Sequence, residues 1–335
     1  MPRSVYLAYA TVLSEMFAVM QAIINTFGFS LNYISIFTFA ILVIPALSKF
    51  NAKAFLILLF VFCLQAVKSG VIGVGPEFVK TFYLLFLAAI LILMSQKMYV
   101  EDFIDVIRRL RWLILLLGIA YLYLWIGFGT YRNANTFSLA IMLFFGFQGQ
   151  MRSIALLFAA TTKTTYKILF FSLFVSFFVR SIQLRTLFIA VSAGIGAVLP
   201  LILAKLITPE THIFSLSHTY SLAERVLETK ALLLNMENNF LALVWGDRLG
   251  WVLESNLIDE RGYVHSTHLW LLRTFGLPIW FVGFYFLVKT ARFGSHGVFG
   301  IRAVILMSFA FFMTLFTSPF LTMFLLCRVR SGMSH

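Results

Sequence analysis

Apolar stretches, most of them near twenty residues long, recur along almost the whole chain, at 5–27, 30–48, 54–72, 78–96, 112–130, 136–150, 166–184, 186–204, 267–288 and 303–327. A helix needs about 20 such residues to cross the roughly 30 Å hydrocarbon core of a bilayer. In that solvent each backbone N–H and C=O has to be satisfied within its own segment, so repeated runs of this kind predict helices. Charged residues make up 12% of the 335, about half the share of an ordinary soluble domain, which excludes readings that start from a soluble fold. The expected architecture is all-α, a polytopic transmembrane bundle of about 10–12 spans with one large external loop. The last run holds Thr317, Ser318 and Pro319 at its middle and reads either as two short crossings or as one long tilted helix.

The formal net charge of +13 is scattered singly and in small groups between apolar runs, with no long basic tract, so it does not point to nucleic acid. Its distribution is informative. Eight of the 13 acidic residues fall between 204 and 264, against five basic ones, so that segment carries −3 and the rest of the chain +16. Positive charge marks cytoplasmic links between spans. Three basic links qualify: Lys49 with Lys53; Lys97 with Arg108, Arg109 and Arg111; and Lys289 with Arg292 and Arg302. The acidic segment is expected outside. The chain then divides into an N-terminal transmembrane bundle over 1–203, an external loop over 204–264 and C-terminal spans over 265–335, forming one integrated membrane domain. The first run follows Arg3 as in a signal peptide, but it is too long, contains Glu15 and lacks a small-residue cleavage site; it reads as a retained span.

Two shorter helices are predicted at the membrane surface. Residues 101–111 place Phe103, Ile104, Ile107 and Leu110 on one face, with Glu101 and Asp102 at the start and Arg108, Arg109 and Arg111 at the end, charges that suit the helix dipole. Ser221 and Glu224 form a capping box, and Leu222, Val226, Leu227, Ala231 and Leu234 follow at helical spacing, which predicts an amphipathic helix over about 222–234. Simple alternation from an inside N-terminus puts 204–264 inside, against its acidity. Either 153–162 makes an extra pass, or one apparent span between 166 and 207 is broken.

Polar groups at the outer ends of spans are the places where chemistry on a lipid-linked substrate can occur. They are Tyr131-Arg132-Asn133-Ala134-Asn135, Arg180 with Arg185, Arg225 in the loop helix, and His265-Ser266-Thr267-His268. Each also has an ordinary structural explanation: Arg at a span end snorkels to the interface, Asn caps helices and builds turns, and an interfacial His is often only packed. His265 and His268 share a helical face but have no carboxylate or Cys at ligand spacing, so no metal site is expected. Cys63 and Cys327 lie inside apolar runs and read as small buried hydrophobes.

The order of these groups adds to their chemistry. Gly129-Thr-Tyr-Arg-Asn133-Ala-Asn135-Thr-Phe-Ser-Leu-Ala140, Arg185-Thr-Leu-Phe-Ile-Ala and, most closely, His265-Ser-Thr-His-Leu-Trp-Leu-Leu-Arg-Thr-Phe-Gly276-Leu-Pro together resemble the O-antigen polymerase and O-antigen ligase superfamily of bacterial membrane glycosyltransferases. Ser221-Leu-Ala-Glu-Arg225 is similar to the opening of that family's loop helix, and Gly246-Asp-Arg-Leu-Gly250 to its later glycine turn. Ala134 stands in place of a Pro, Gln183-Leu184 in place of a Thr/Ser lead-in, and Ser266 in place of an Asn. The His-to-Gly spacing selects His265, with His268 at a position where the family has an aromatic residue.

The resemblance implies a GT-C-like fold in the bacterial inner membrane with its active site facing the periplasm. It implies transfer of a glycan from an undecaprenyl-pyrophosphate-linked oligosaccharide to a sugar hydroxyl, with a flippase and chain-length regulator proteins as partners. The roles it implies make physical sense. Arg185 and Arg225, with Arg132 third, would hold the departing pyrophosphate through forked hydrogen bonds, and Asn133, Asn135 and His268 would line the substrate. A neutral His265 would take the proton of the attacking hydroxyl. No cofactor or metal is expected, since no Asp-x-Asp suggests a metal-bound nucleotide sugar, and the external acids are too dispersed for a carboxylate pair to rival His265. The acceptor is read as another lipid-linked repeat unit, making a polymerase. Transfer to lipid A core, making a ligase, is the first alternative, and a non-enzymatic polysaccharide or lipid flippase the second.

Overall fold

The computed structural model describes residues 3–26, 52–75, 78–128, 140, 143–144, 178–179, 181–206, 229–230, 232–234, 236–237, 239–247, 266–308 and 318–330. Among these residues the fold is helical, the exception being an isolated bridge between Tyr99 and Arg328. The helices are α1 (Arg3–Thr26), α2 (Ala52–Ile72), α3 (Phe78–Ser95), α4 (Val100–Arg109), α5 (Arg111–Phe128), α6 (Ile182–Leu206), α7 (Phe240–Trp245), α8 (Thr267–Ala291), α9 (His296–Ser308) and α10 (Pro319–Leu326). Three hold stretches long and apolar enough to cross a membrane by length and composition, Phe55–Ile72, Ile182–Leu199 and Thr267–Ala291, the last counted across a break at Gly276.

The runs at 5–27, 54–72, 78–96, 112–130 and 186–204 each become one helix, α1, α2, α3, α5 and α6, within a few residues. The run at 30–48 and most of those at 136–150 and 166–184 lie outside the described residues. So does the capping box at 221–224, while residues 229–230 and 232–234 are helical. The helix predicted at 101–111 is α4, with Val100, Phe103, Val106 and Ile107 buried. Its acidic first turn does more than face the dipole. Buried Asp102 binds Arg330 at 2.6 Å, and the backbone of Arg328 exchanges hydrogen bonds with Met98 and Val100 at 2.9 Å. The chain after α10 thus straps α4 in place.

One apolar core joins helices from both sides of the acidic segment, drawing Leu7 and Val12 from α1, Leu91 from α3, Phe103 from α4, Phe299 from α9 and Phe320 from α10. Where α1 meets α10, a carboxylate is built into this core. Glu15 Oε2 accepts from Ser318 Oγ at 2.8 Å and from the Phe320 N–H at 3.2 Å, and Ser318 Oγ also caps α10 by accepting from the Leu321 N–H. The Thr317-Ser318-Pro319 interruption read from the sequence is therefore a helix start with Pro in its first turn.

Two expectations are corrected. Arg302 was read as part of a cytoplasmic basic link, but it is fully buried inside α9. It donates Nε–H to Phe324 O (3.1 Å), Nη1–H to Thr290 O (3.1 Å) and Phe293 O (2.8 Å), and Nη2–H to Cys327 O (2.6 Å). Thr290 and Phe324 are among the carbonyls that the last turns of α8 and α10 leave unpaired, where a planar cation is stabilised by two helix dipoles. The second correction concerns 267–288, read as one span. α8 is broken at Gly276, whose φ of 76° and ψ of 175° are not helical. The His268 ring lies 6.2 Å from those of both Trp280 and Phe284. Residues 268 and 284 would stand roughly 24 Å apart on a straight helix. Residues 267–275 therefore fold back along 277–291, with Gly276 at the apex.

The bundle has a distinctly basic end. Arg185, at the start of α6, the turn after α8 through Gly294, the end of α10 and the strap to α4 all meet there. α6 runs from this end without a break to Leu206, so Leu206 lies at the opposite end from the basic turn after α8.

Candidate functional site

Gly246 and Gly276 both have φ near 77°, a region open to glycine at little cost. They also allow two backbones to touch: a Cβ on Gly246 would fall 2.5 Å from Thr274 O, and one on Gly276 would collide with Val244 O. α7 therefore docks on the apex of the folded α8 through main chain, and only glycine permits it.

The break leaves the last carbonyls of 267–275 without helical partners, and polar groups from three parts of the chain converge on them. The Asp247 N–H donates to Arg273 O at 2.7 Å. Lys68 of α2 donates Nζ–H to Thr274 O at 2.6 Å and to Trp245 O at 3.4 Å. Arg273 Nη2 faces Asp247 Oδ2 at 3.5 Å, with both side chains mostly buried. On the same face of α2, three residues before Lys68, buried Gln65 has an Oε1 with no hydrogen-bond partner. The cluster sets two cations against one carboxylate.

Its depth follows from helix lengths. Lys68 is sixteen residues into α2, roughly 24 Å from the start of that helix, and Gly276 is fifteen residues above Ala291, roughly 22 Å at 1.5 Å per residue. Both fall short of a core about 30 Å thick. A Lys, an Arg and an Asp at that depth are costly unless they pair or serve a substrate.

The structure brings together only part of the expected constellation. His268 is buried, its ring against those of Trp280 and Phe284, which stack on each other, about halfway down 277–291. Arg185 is not near it. Arg185 is buried at the basic end, with Nη1 donating to Gly294 O at 2.7 Å and its guanidinium 5.5 Å from the Phe299 ring; it ties α6 to the turn after α8. His265, Arg225, Arg132, Asn133 and Asn135 lie outside the described residues, as does Arg180.

Sequence reasoning passed over Lys68, Arg273 and Asp247 as a group. The available signal was a lone charge inside an apolar run: Lys68 in 54–72 and Arg273 in 267–288 both break otherwise uncharged stretches. Among the described residues no group of three His, Cys, Asp or Glu could hold a metal ion. Compared with known proteins, the chain matches no family model, no curated protein and no solved structure.

Proposed function

We propose that the chain is a bacterial inner-membrane glycosyltransferase that polymerises undecaprenyl-pyrophosphate-linked oligosaccharide repeat units. In this reading it is a GT-C-like bundle of ten to twelve spans, with the basic end in the cytoplasm and the acidic segment in the periplasm. The observation that carries the reading is the convergence of Lys68 and Arg273 on the apex at Gly276. Two cations a few ångströms inside the hydrocarbon boundary suit the phosphates of a carrier lipid that enters from the side of the bundle. Low dielectric strengthens their hold on the charge that develops as the pyrophosphate leaves. Arg225 and Arg132 remain proposed pyrophosphate groups, Asn133 and Asn135 substrate-lining groups, and His265 the general base. Arg185 becomes a structural clamp at the far end.

Polymerase and ligase differ only in acceptor. Deleting the gene is expected to leave cells with a single repeat unit on the lipid A core. Full-length polymer left on its lipid carrier, with none on the core, would assign the chain as a ligase instead.

A flippase is the second reading, and two observations favour it. A helix broken within the bundle, as at Gly276, and a helix that starts inside the core, as at Ser318, are what transporters use to place polar backbone at depth. The carboxylate of Glu15 at that helix start has its Oε1 buried with no hydrogen-bond partner among the described residues.

A further inference from the structure

α7 has no charged residue, and its outward residues are large and apolar: Phe240 is 71% exposed, Leu241 67% and Trp245 56%. Leu241 and Trp245 share a face, one turn apart. The opposite side is sealed, with Ala242 buried against α8 and the two glycine contacts fixing the helix in place. This apolar face is rigidly presented. It is also continuous with another. Trp245 O is held by Lys68 of α2, and α2 beyond Lys68 exposes Val71 and Ile72. Only 6% of the apolar stretch Phe55–Ile72 is buried inside the protein, which leaves lipid as its surroundings.

Depth fixes what meets α7. Lys68 precedes the last residue of α2 by four positions, so Trp245 O lies roughly 6 Å inside the end of that helix. Apolar faces of in-plane helices sit about 5–10 Å into the boundary between headgroups and acyl chains. We infer that α7 is an in-plane anchor whose Phe240, Leu241 and Trp245 enter the bilayer leaflet opposite the basic end. The partner is the lipid acyl layer, and the anchor holds the Lys68–Arg273–Asp247 cluster at the depth of lipid phosphates. The placement rests on the chain being embedded in a bilayer, and it does not depend on glycosyl transfer.

The test uses full-length protein reconstituted into liposomes with exposed Cys63 changed to Ser and buried Cys327 retained. A spin label is attached at Leu241→Cys, at Trp245→Cys or, as the aqueous control, at exposed Glu237→Cys. Collisions are measured with molecular oxygen, which concentrates in the bilayer, and with a water-soluble nickel chelate. The expected result is a ratio of oxygen to nickel accessibility several-fold higher at 241 and 245 than at 237. Nickel accessibility at 241 and 245 equal to that at 237 would overturn the inference. All three positions are exposed, so labelling leaves the core intact; a label at Phe240→Cys gives an independent reading, with the same two outcomes. Loss of the anchor reading would leave chain growth as an open, separate measurement.

Discussion

Changing Arg302 to Leu is expected to prevent the protein from holding its native fold. The substitution keeps a side chain of moderate bulk in a fully buried position but removes the guanidinium donors to Phe324 O, Thr290 O, Phe293 O and Cys327 O, leaving Phe324 O only the weak Cys327 Sγ–H contact at 3.8 Å. Each buried carbonyl left unsatisfied costs about 1–3 kcal/mol. Several together consume a large part of a total stability that is typically about 5–15 kcal/mol. Arg302→Lys is expected to retain a fraction of the loss, because an ammonium is a compact point donor and does not span the four acceptors as a planar fork does. Thermal unfolding in detergent, read alongside size-exclusion behaviour, measures both. An unfolding midpoint for Arg302→Leu equal to that of the parent would mean that the turns after α8 and α10 are held by other contacts.

The second large effect is on activity. His265→Ala is expected to cost at least the ~10²–10⁴-fold typical of a lost general base, and His265→Gln should not restore it, because an amide hydrogen-bonds but does not accept the proton. His268→Phe should keep most of the rate, since the ring it replaces is buried against Trp280 and Phe284 and another aromatic ring fills that space. Rates of chain growth on purified variants, with insertion checked separately, make the comparison. A dead His268→Phe beside an active His265→Gln would move the proposed base by three residues.

Much of the secondary structure was legible because long apolar runs in a membrane have one backbone solution. α1, α2, α3, α5 and α6 follow from run length, and α4 follows from the spacing of Phe103, Ile104, Ile107 and Leu110 between its acidic and basic ends. What escaped was tertiary in origin. The sequence 267–288 is apolar enough for one span, and nothing local says that Gly276 reverses the chain; that depends on Gly246, thirty residues earlier, offering it a backbone to touch. Arg302 looked like a surface charge because basic residues flanking a span usually are. Its burial depends on two helix ends that meet only after folding. The cluster of Lys68, Asp247 and Arg273 draws on positions far apart in the chain, and its only local trace is the cost of each charge within or beside apolar sequence.

The central claim is tested most directly by supplying the purified protein, reconstituted in liposomes, with preassembled undecaprenyl-pyrophosphate-linked repeat units. The account predicts a ladder of products that grows by whole repeat units, persists in excess chelator, and collapses in Lys68→Ala and Arg273→Ala variants that still insert. Translocation of the lipid-linked units across the bilayer with no product longer than one repeat would contradict it and assign the chain as a flippase.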